Sequence, residues 1–302
     1  MQYNHNVKTI EGTLFEALGN AGAISSLNSL EFSKNGFSRA ARTDRGVHAA
    51  CNVASVKMII EDPNICDRIN ECLPPDILVW DIQRVNKSFN PRSACGSRWY
   101  EYLLPRYVLG DGDTQIELFT KCMKRYRGAN NFHNFTVRKN YTESSALRYI
   151  REVLVSEQLL GPDNKQQEKW LSIKLHGDSF MLYQIRKMLA LAIIATRNGK
   201  GSDLIGKYLQ MRENRYVPMA PSEGLLLEHP VFDAYNRKLV NLGYESIDPN
   251  KYAQQIQEFK LGHIYPQIYT AERDTGVFHE FAEYIDTHTL DSYQTKLSEV
   301  NV

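Results

Sequence analysis

The sequence predicts an α+β fold with a largely antiparallel sheet and helices on one side. Two observations carry this. Segments with helical spacing and segments with alternating polarity follow one another without a strict βαβ rhythm. No GxGxxG follows a candidate strand and no GxxxxGK[ST] occurs, so nucleotide-cofactor folds lack support.

The elements follow in order. Residues 13–24, TLFEALGNAGAI, read as a helix: Thr13 and Glu16 form a capping box, and Leu14, Ala17, Leu18 and Ala21 share a side. Residues 48–60, HAACNVASVKMII, read as a strand leaving a turn at Asp44. Residues 62–73 begin with Asp-Pro and place Ile65, Ile69 and Cys72 on one side, as a helix does, and Leu73-Pro74-Pro75 ends it. Residues 76–85 and 97–104 read as strands. In 170–177, Leu171, Ile173 and Leu175 alternate onto one face. Residues 180–198 form the longest apolar helix, and 202–211 a further helix capped by Ser202. After about residue 240 the pattern reads as an appended helical and loop segment.

Composition narrows the class. The 302 residues exceed the usual size of one domain and suit two fused units, with 42% hydrophobic and 24% charged residues. No apolar run reaches the ~18 residues of a membrane span. The opening MQYNHNVKTIEG lacks a basic start and apolar block, so it is not a signal peptide. Cys51, Cys66, Cys72, Cys95 and Cys122 are odd in number and contain no CxxC, which points to buried free thiols in a reducing compartment. Net charge is +1, but from Glu272 onward seven acids and two bases leave the preceding chain at +6. Its bases cluster with aromatics at 121–128, 137–140, 197–201 and 211–216, a pattern that suits a phosphate-bearing ligand as well as it suits solvated faces.

Four places could carry chemistry. In SRAARTDRGVHAA (38–50), Asp44 lies between Arg42 and Arg45, with Gly46 two positions on. That is ordinary turn chemistry. It is also the setting of a carboxylate kept ionised by cations, as a nucleophile or general base requires. Arg98, Tyr100 and Tyr102 share one strand face, able either to stack on a base and touch phosphate or to form a cross-strand aromatic pair. Arg186 falls among Leu182, Tyr183, Leu189 and Ala190 at helical spacing. It must either snorkel to the surface or find an acid from elsewhere, for which Asp44 is one candidate. His133 in NNFHNFT (130–136) reads as a structural histidine between core Phe132 and Phe135, with Asn131 and Asn134 as turn residues.

Together these pieces resemble pseudouridine synthases of the TruA type, most closely the eukaryotic branch that modifies several uridines in tRNA. The resemblance rests on ARTDRGVHAA (41–50), INECLPPDILVWDIQRV (69–85), FNPRSACGSRWYEYLLP (89–105), NNFHNFT (130–136), SFMLYQIRKM (179–188), APSEGLLLEHPVFDAYN (220–236) and HIYPQIYTAERD (263–274). The first and fifth are specific, and the order is right across nearly the whole chain. The resemblance implies an isomerase that flips a uridine out of tRNA, or of another structured RNA, and rejoins it through carbon without a cofactor. It implies that Asp44 attacks the nucleotide, Tyr100 stacks on the base and aids proton removal, and Arg186 pairs with Asp44. Arg42 would enter the RNA as the uridine leaves, and Arg45, Arg98 and Tyr102 complete the expected RNA contacts. Two α+β halves would share one extended mixed sheet around a catalytic cleft: 1–98 with Asp44, 99–240, and an extension at 241–302. Family members usually carry a strand and Gly-rich turn before the position of MQYN, so the first half is expected to lack that strand. A monomer in the nucleus or cytoplasm is expected, with no basic tail that reads as a nuclear address. The competing readings are a non-catalytic RNA-binding protein or folding helper on the same scaffold and, more distantly, a carboxylate-based glycosidase or nucleosidase, for which no paired acidic motif exists.

Overall fold

The computed structural model describes residues 7–25, 28, 32–110, 112–161, 166–240 and 243–288. The helices are α1 (Ile10–Asn20), α2 (Ile65–Glu71), α3 (Pro91–Ala94), α4 (Asp113–Lys124), α5 (Gln184–Arg197), α6 (Gly201–Gln210), α7 (Asp233–Val240), α8 (Ala253–Phe259), α9 (Tyr265–Thr275) and α10 (Val277–Thr287). The strands are β1 (Ser38–Arg39), β2 (His48–Ala49), β3 (Ala54–Ser55), β4 (Ser97–Pro105), β5 (Gly128–Asn131), β6 (Leu147–Leu160), β7 (Glu168–Gly177) and β8 (Leu225–Val231). β1 pairs antiparallel with β3, and a six-stranded sheet runs β2-β8-β4-β7-β6-β5, antiparallel through β4-β7-β6-β5. The protein is thus a mixed helix and sheet structure with a largely antiparallel sheet. Among the described residues no helix is long and apolar enough to cross a membrane.

Two compact units divide the chain: Met1–Arg45, Ala49–Gly96 and Leu227–His263 form the first, and Gly46–His48, Ser97–Leu226 and Ile264–Val302 the second. In the first unit, Phe15 and Leu18 of α1 meet Ile65 and Ile69 of α2, with Met58, Val79 and Ile82 against them. Helix α1 starts earlier than its apolar spacing predicts. Thr9 is the cap, its hydroxyl accepting from Gly12 N at 3.1 Å, and Thr13 lies inside the helix. Residues 76–85 set the partly buried Val79 and Ile82 against this core but form no strand, because the Asn70 side chain occupies both backbone groups of Val79, at 2.8 and 2.9 Å. The expected strand at 48–60 shrinks to β2 and β3. Among its backbone groups, Ala50 O accepts from Trp80 Nε1 at 3.1 Å and Val53 N donates to Asn52 Oδ1 at 3.0 Å.

The second unit is built on β4 and β7, in register from Arg98 opposite Gly177 to Pro105 opposite Trp170. Trp170, Leu171, Ser172 and Ile173 are all buried, so both faces of β7 are covered there, not one. On the Trp170 face lie Phe278 and Tyr269 of α10 and α9, at ring distances of 5.5 and 6.4 Å. The buried Glu101 carboxylate accepts from Ser172 and from Tyr265 of α9. The residues after 240 are therefore not a single appendage. Ile247 joins the first unit's core and Ile268 and Phe278 are buried in the second. Helix α5 begins at Gln184, four residues later than predicted, after Tyr183 in the left-handed region at φ 62°. Helix α6 begins at Gly201 with Lys200 at the cap position and no side-chain cap, so Ser202 is not the cap. All five cysteines are free; Cys51, Cys95 and Cys122 are buried, whereas Cys66 is half-buried and Cys72 exposed.

Candidate active site

In the first unit, an ion pair of 2.5 Å between buried Glu11 of α1 and Arg39 of β1 anchors the strand that leads to Asp44. Burial lowers the Arg39 pKa, and Glu11 opposes that shift. Past β1 the chain loses regular structure. Ala40 N donates to Val53 O at 2.8 Å, and Asn52 Nδ2 donates to Ala41 O at 3.0 Å. On the far side, Ala50 N donates to Leu227 O at 2.8 Å while Ala50 O accepts from Trp80. Between these ties Arg42, Asp44 and Arg45 are exposed. The turn reading is therefore correct for the backbone, and the same turn presents a carboxylate and two guanidiniums to solvent.

Gly46 belongs to the second unit and takes φ +83°, where an added Cβ would come 2.7 Å from Ser222 Oγ. Two positions on, burial pushes the His48 imidazole pKa down, and the Glu223 side chain and backbone partly counter it. Glu223 itself accepts from Ser222 Oγ at 3.2 Å.

Strand β4 carries the aromatic candidates. Tyr100 is nearly covered, its ring edge-on to Phe180 at 5.2 Å. Arg98 is half-buried and donates to Asp178 O at 3.1 Å. Trp99 points the other way and stacks on His176 at 4.5 Å, so the alternation of the strand is as expected. Tyr102 shares the Tyr100 parity, but it is 0% exposed and its hydroxyl donates to Pro221 O at 3.0 Å. Burial raises its pKa well above the usual tyrosine value. Its place is the core, because the Pro221–Gly224 turn closes over it: a Cβ on Gly224 would stand 2.8 Å from the Tyr102 ring and 2.6 Å from Leu103 O. Of the three residues that share this face, Arg98 alone is more than slightly exposed.

Arg186 lies in the first turn of α5, where a cation opposes the helix dipole. Its Nε donates to Ala220 O at 2.6 Å, its own carbonyl accepts from Ala220 N at 3.2 Å, and its guanidinium lies 5.8 Å from the Tyr183 ring centre. Leu182 and Tyr183 precede the helix, so the apolar stripe assumed around Arg186 is incomplete. Backbone carbonyl and ring meet part of what an acid was required to supply. The neighbouring Lys187 is buried and donates to Thr136 O at 3.0 Å, and burial lowers its pKa to about 8. His133 is structural: buried, with its ring nitrogens near Asn131 Oδ1 and Glu213 O at 3.0 and 3.3 Å. Asn134 is more than a turn residue, since it spans Tyr208 O and Arg215 N from a buried position. Among the described residues no His, Cys, Asp and Glu cluster could hold a metal ion.

Sequence reasoning did not single out Asn52, Trp80 and Glu223. Asn52 and Trp80 act on backbone carbonyls 11 and 30 positions away, and such bonds leave no periodic trace.

Comparison with known proteins places this chain in a family. The family model for tRNA pseudouridine synthase matches residues 122–233. The tRNA pseudouridine synthase 1 of Saccharomyces cerevisiae is 40% identical over 95% of this chain and 68% of its own length. That of Candida glabrata is 38% identical over the same shares. The tRNA pseudouridine(27/28) synthase of Saccharomyces cerevisiae is 35% identical over 95% of both chains. The chain belongs to the TruA-type tRNA pseudouridine synthase family.

Proposed function

We propose that this protein isomerises uridine to pseudouridine in tRNA, with Asp44 as the nucleophile. The observation that carries the reading is the exposed loop that sets Asp44 between Arg42 and Arg45, in a chain of this family. The net reaction breaks the N1–C1′ bond, turns the uracil and forms a C5–C1′ bond. The proton leaving C5 is balanced by one gained at N1, so the isomerisation is redox-neutral and consumes no co-reactant. The uridine must first leave the stack. Arg42 and Arg45 would meet phosphate or fill the gap, and Arg98 would hold the flanking backbone. Tyr100 would stack on the flipped uracil and aid removal of the C5 proton. Arg186 would pair with Asp44, keeping it ionised and aimed; its restraint by Ala220 suits that role, because an aligned guanidinium loses less freedom on pairing. In this reading two α+β halves flank a catalytic cleft, and the enzyme works as a monomer in the nucleus or cytoplasm, on tRNA and on other structured RNAs.

The test is incubation of the purified protein with unmodified tRNA, followed by pseudouridine mapping. Site-specific product is expected. Salt-sensitive tRNA binding without product would favour an RNA-binding protein on the same scaffold.

A further inference from the structure

The Asp44 loop has almost no regular structure of its own, yet a nucleophile must be held to a fraction of an ångström. On its N-terminal side the nearest side-chain tie is Asn52. Its amide nitrogen donates to Ala41 O at 3.0 Å, three positions before Asp44. Its amide oxygen accepts from Val53 N, also at 3.0 Å, and Val53 O in turn accepts from Ala40 N at 2.8 Å. One side chain thus locks both strands of the loop base, beyond the two-residue pairing of β1 and β3. On the C-terminal side Trp80 Nε1 holds Ala50 O at 3.1 Å, and the indole is itself set edge-on against Phe259 at 5.6 Å. The two ties differ in kind. Asn52 is partly buried and has little chain to pack, so it acts through directed bonds, whereas Trp80 also packs.

We propose that Asn52 is a positioning residue for the isomerisation: its bond to Ala41 O fixes the loop in the conformation that aims Asp44. The proposal rests on Asp44 being the nucleophile. Asn52 would touch neither RNA nor the reacting atoms, so its loss should slow turnover and spare binding.

The test compares the parent protein, Asn52→Leu and Asn52→Asp on unmodified tRNA. It measures kcat, KM, tRNA affinity and thermal midpoint, with rates normalised to binding-competent protein. Asn52→Asp keeps an oxygen for Val53 N but replaces the donor to Ala41 O with an anionic oxygen, so it breaks the proposed bond in a side chain of nearly the same shape even if Asn52→Leu folds poorly. The expected result is a fall in kcat of about tenfold or more in Asn52→Asp, with KM and tRNA affinity within about twofold of the parent. Parent-like kcat in Asn52→Asp would overturn the proposal. So would a fall in kcat matched by an equal loss of tRNA affinity. An active parent separates either failure from a failure of the isomerase reading; a parent that makes no product would overturn that reading and the Asn52 role with it.

Discussion

Asp44 and Arg186 stand on two kinds of scaffold. Asp44 is exposed at the tip of a loop held by side chains that reach backbone carbonyls, Asn52 to Ala41 and Trp80 to Ala50. Arg186 is half-buried in the first turn of a 14-residue helix whose interior is almost wholly buried, and it is tied to Ala220 through both side chain and carbonyl. Tyr100 sits in a nine-residue strand paired along its length with β7. A residue on a packed helix or ladder inherits its position from many weak contacts, and removing one changes little. A residue on an irregular loop depends on a few directed bonds, each of which matters.

Variants on either scaffold sharpen this contrast. Second only to loss of Asp44 should be Arg186→Lys. Lysine keeps the charge but not the planar fork that reaches Ala220 O, so kcat is expected to fall about a hundredfold with the fold intact. Steady-state rates and circular dichroism check it; a parent-like rate would mean that charge alone suffices. Gly46→Ala comes next. Alanine at φ +83° is strained, and its Cβ would press on Ser222 Oγ. A loss of stability of about 1 kcal/mol is expected in denaturant titration, together with a fall in kcat measured below the unfolding transition.

The smallest effect on turnover belongs to the packed region. Lys187 has its pKa lowered from 10.5 to about 8 by burial. Between those values the folded protein has released a proton that the unfolded chain still binds. The Lys187 contribution to stability therefore rises with pH across that window and is least favourable below it. In Lys187→Met that rise should disappear, so the difference between parent and variant in unfolding free energy should change between pH 8 and 10.5, by about 2–3 kcal/mol. A difference independent of pH would show that Lys187 titrates normally.

What could be read in the sequence follows the same divide. β4 and β7 were legible because alternating aromatic and aliphatic residues mark them, although alternation could not say that Tyr102 lies sealed beneath Gly224. β6 passed unnoticed, since eight of its 14 residues are exposed and its buried Ile150, Val153 and Leu160 do not alternate, so it is a strand through its neighbours. Residues 76–85 misled because the apolar pattern was right while Asn70 took the hydrogen bonds a partner strand would use. Asp44 and Arg186 stood out as unusual charges, but their roles came only from family resemblance. Asn52 was silent, for an amide in a small-residue stretch shows no period and its partner lies across a loop.

The most direct measurement is pseudouridine mapping on one tRNA treated with the parent protein or with Asp44→Ala, at equal tRNA occupancy. Site-specific pseudouridine from the parent, none from the variant and unchanged binding are the predicted results. Pseudouridine formed by Asp44→Ala at the parent rate would contradict the assignment of Asp44 and leave its loop a plain surface turn.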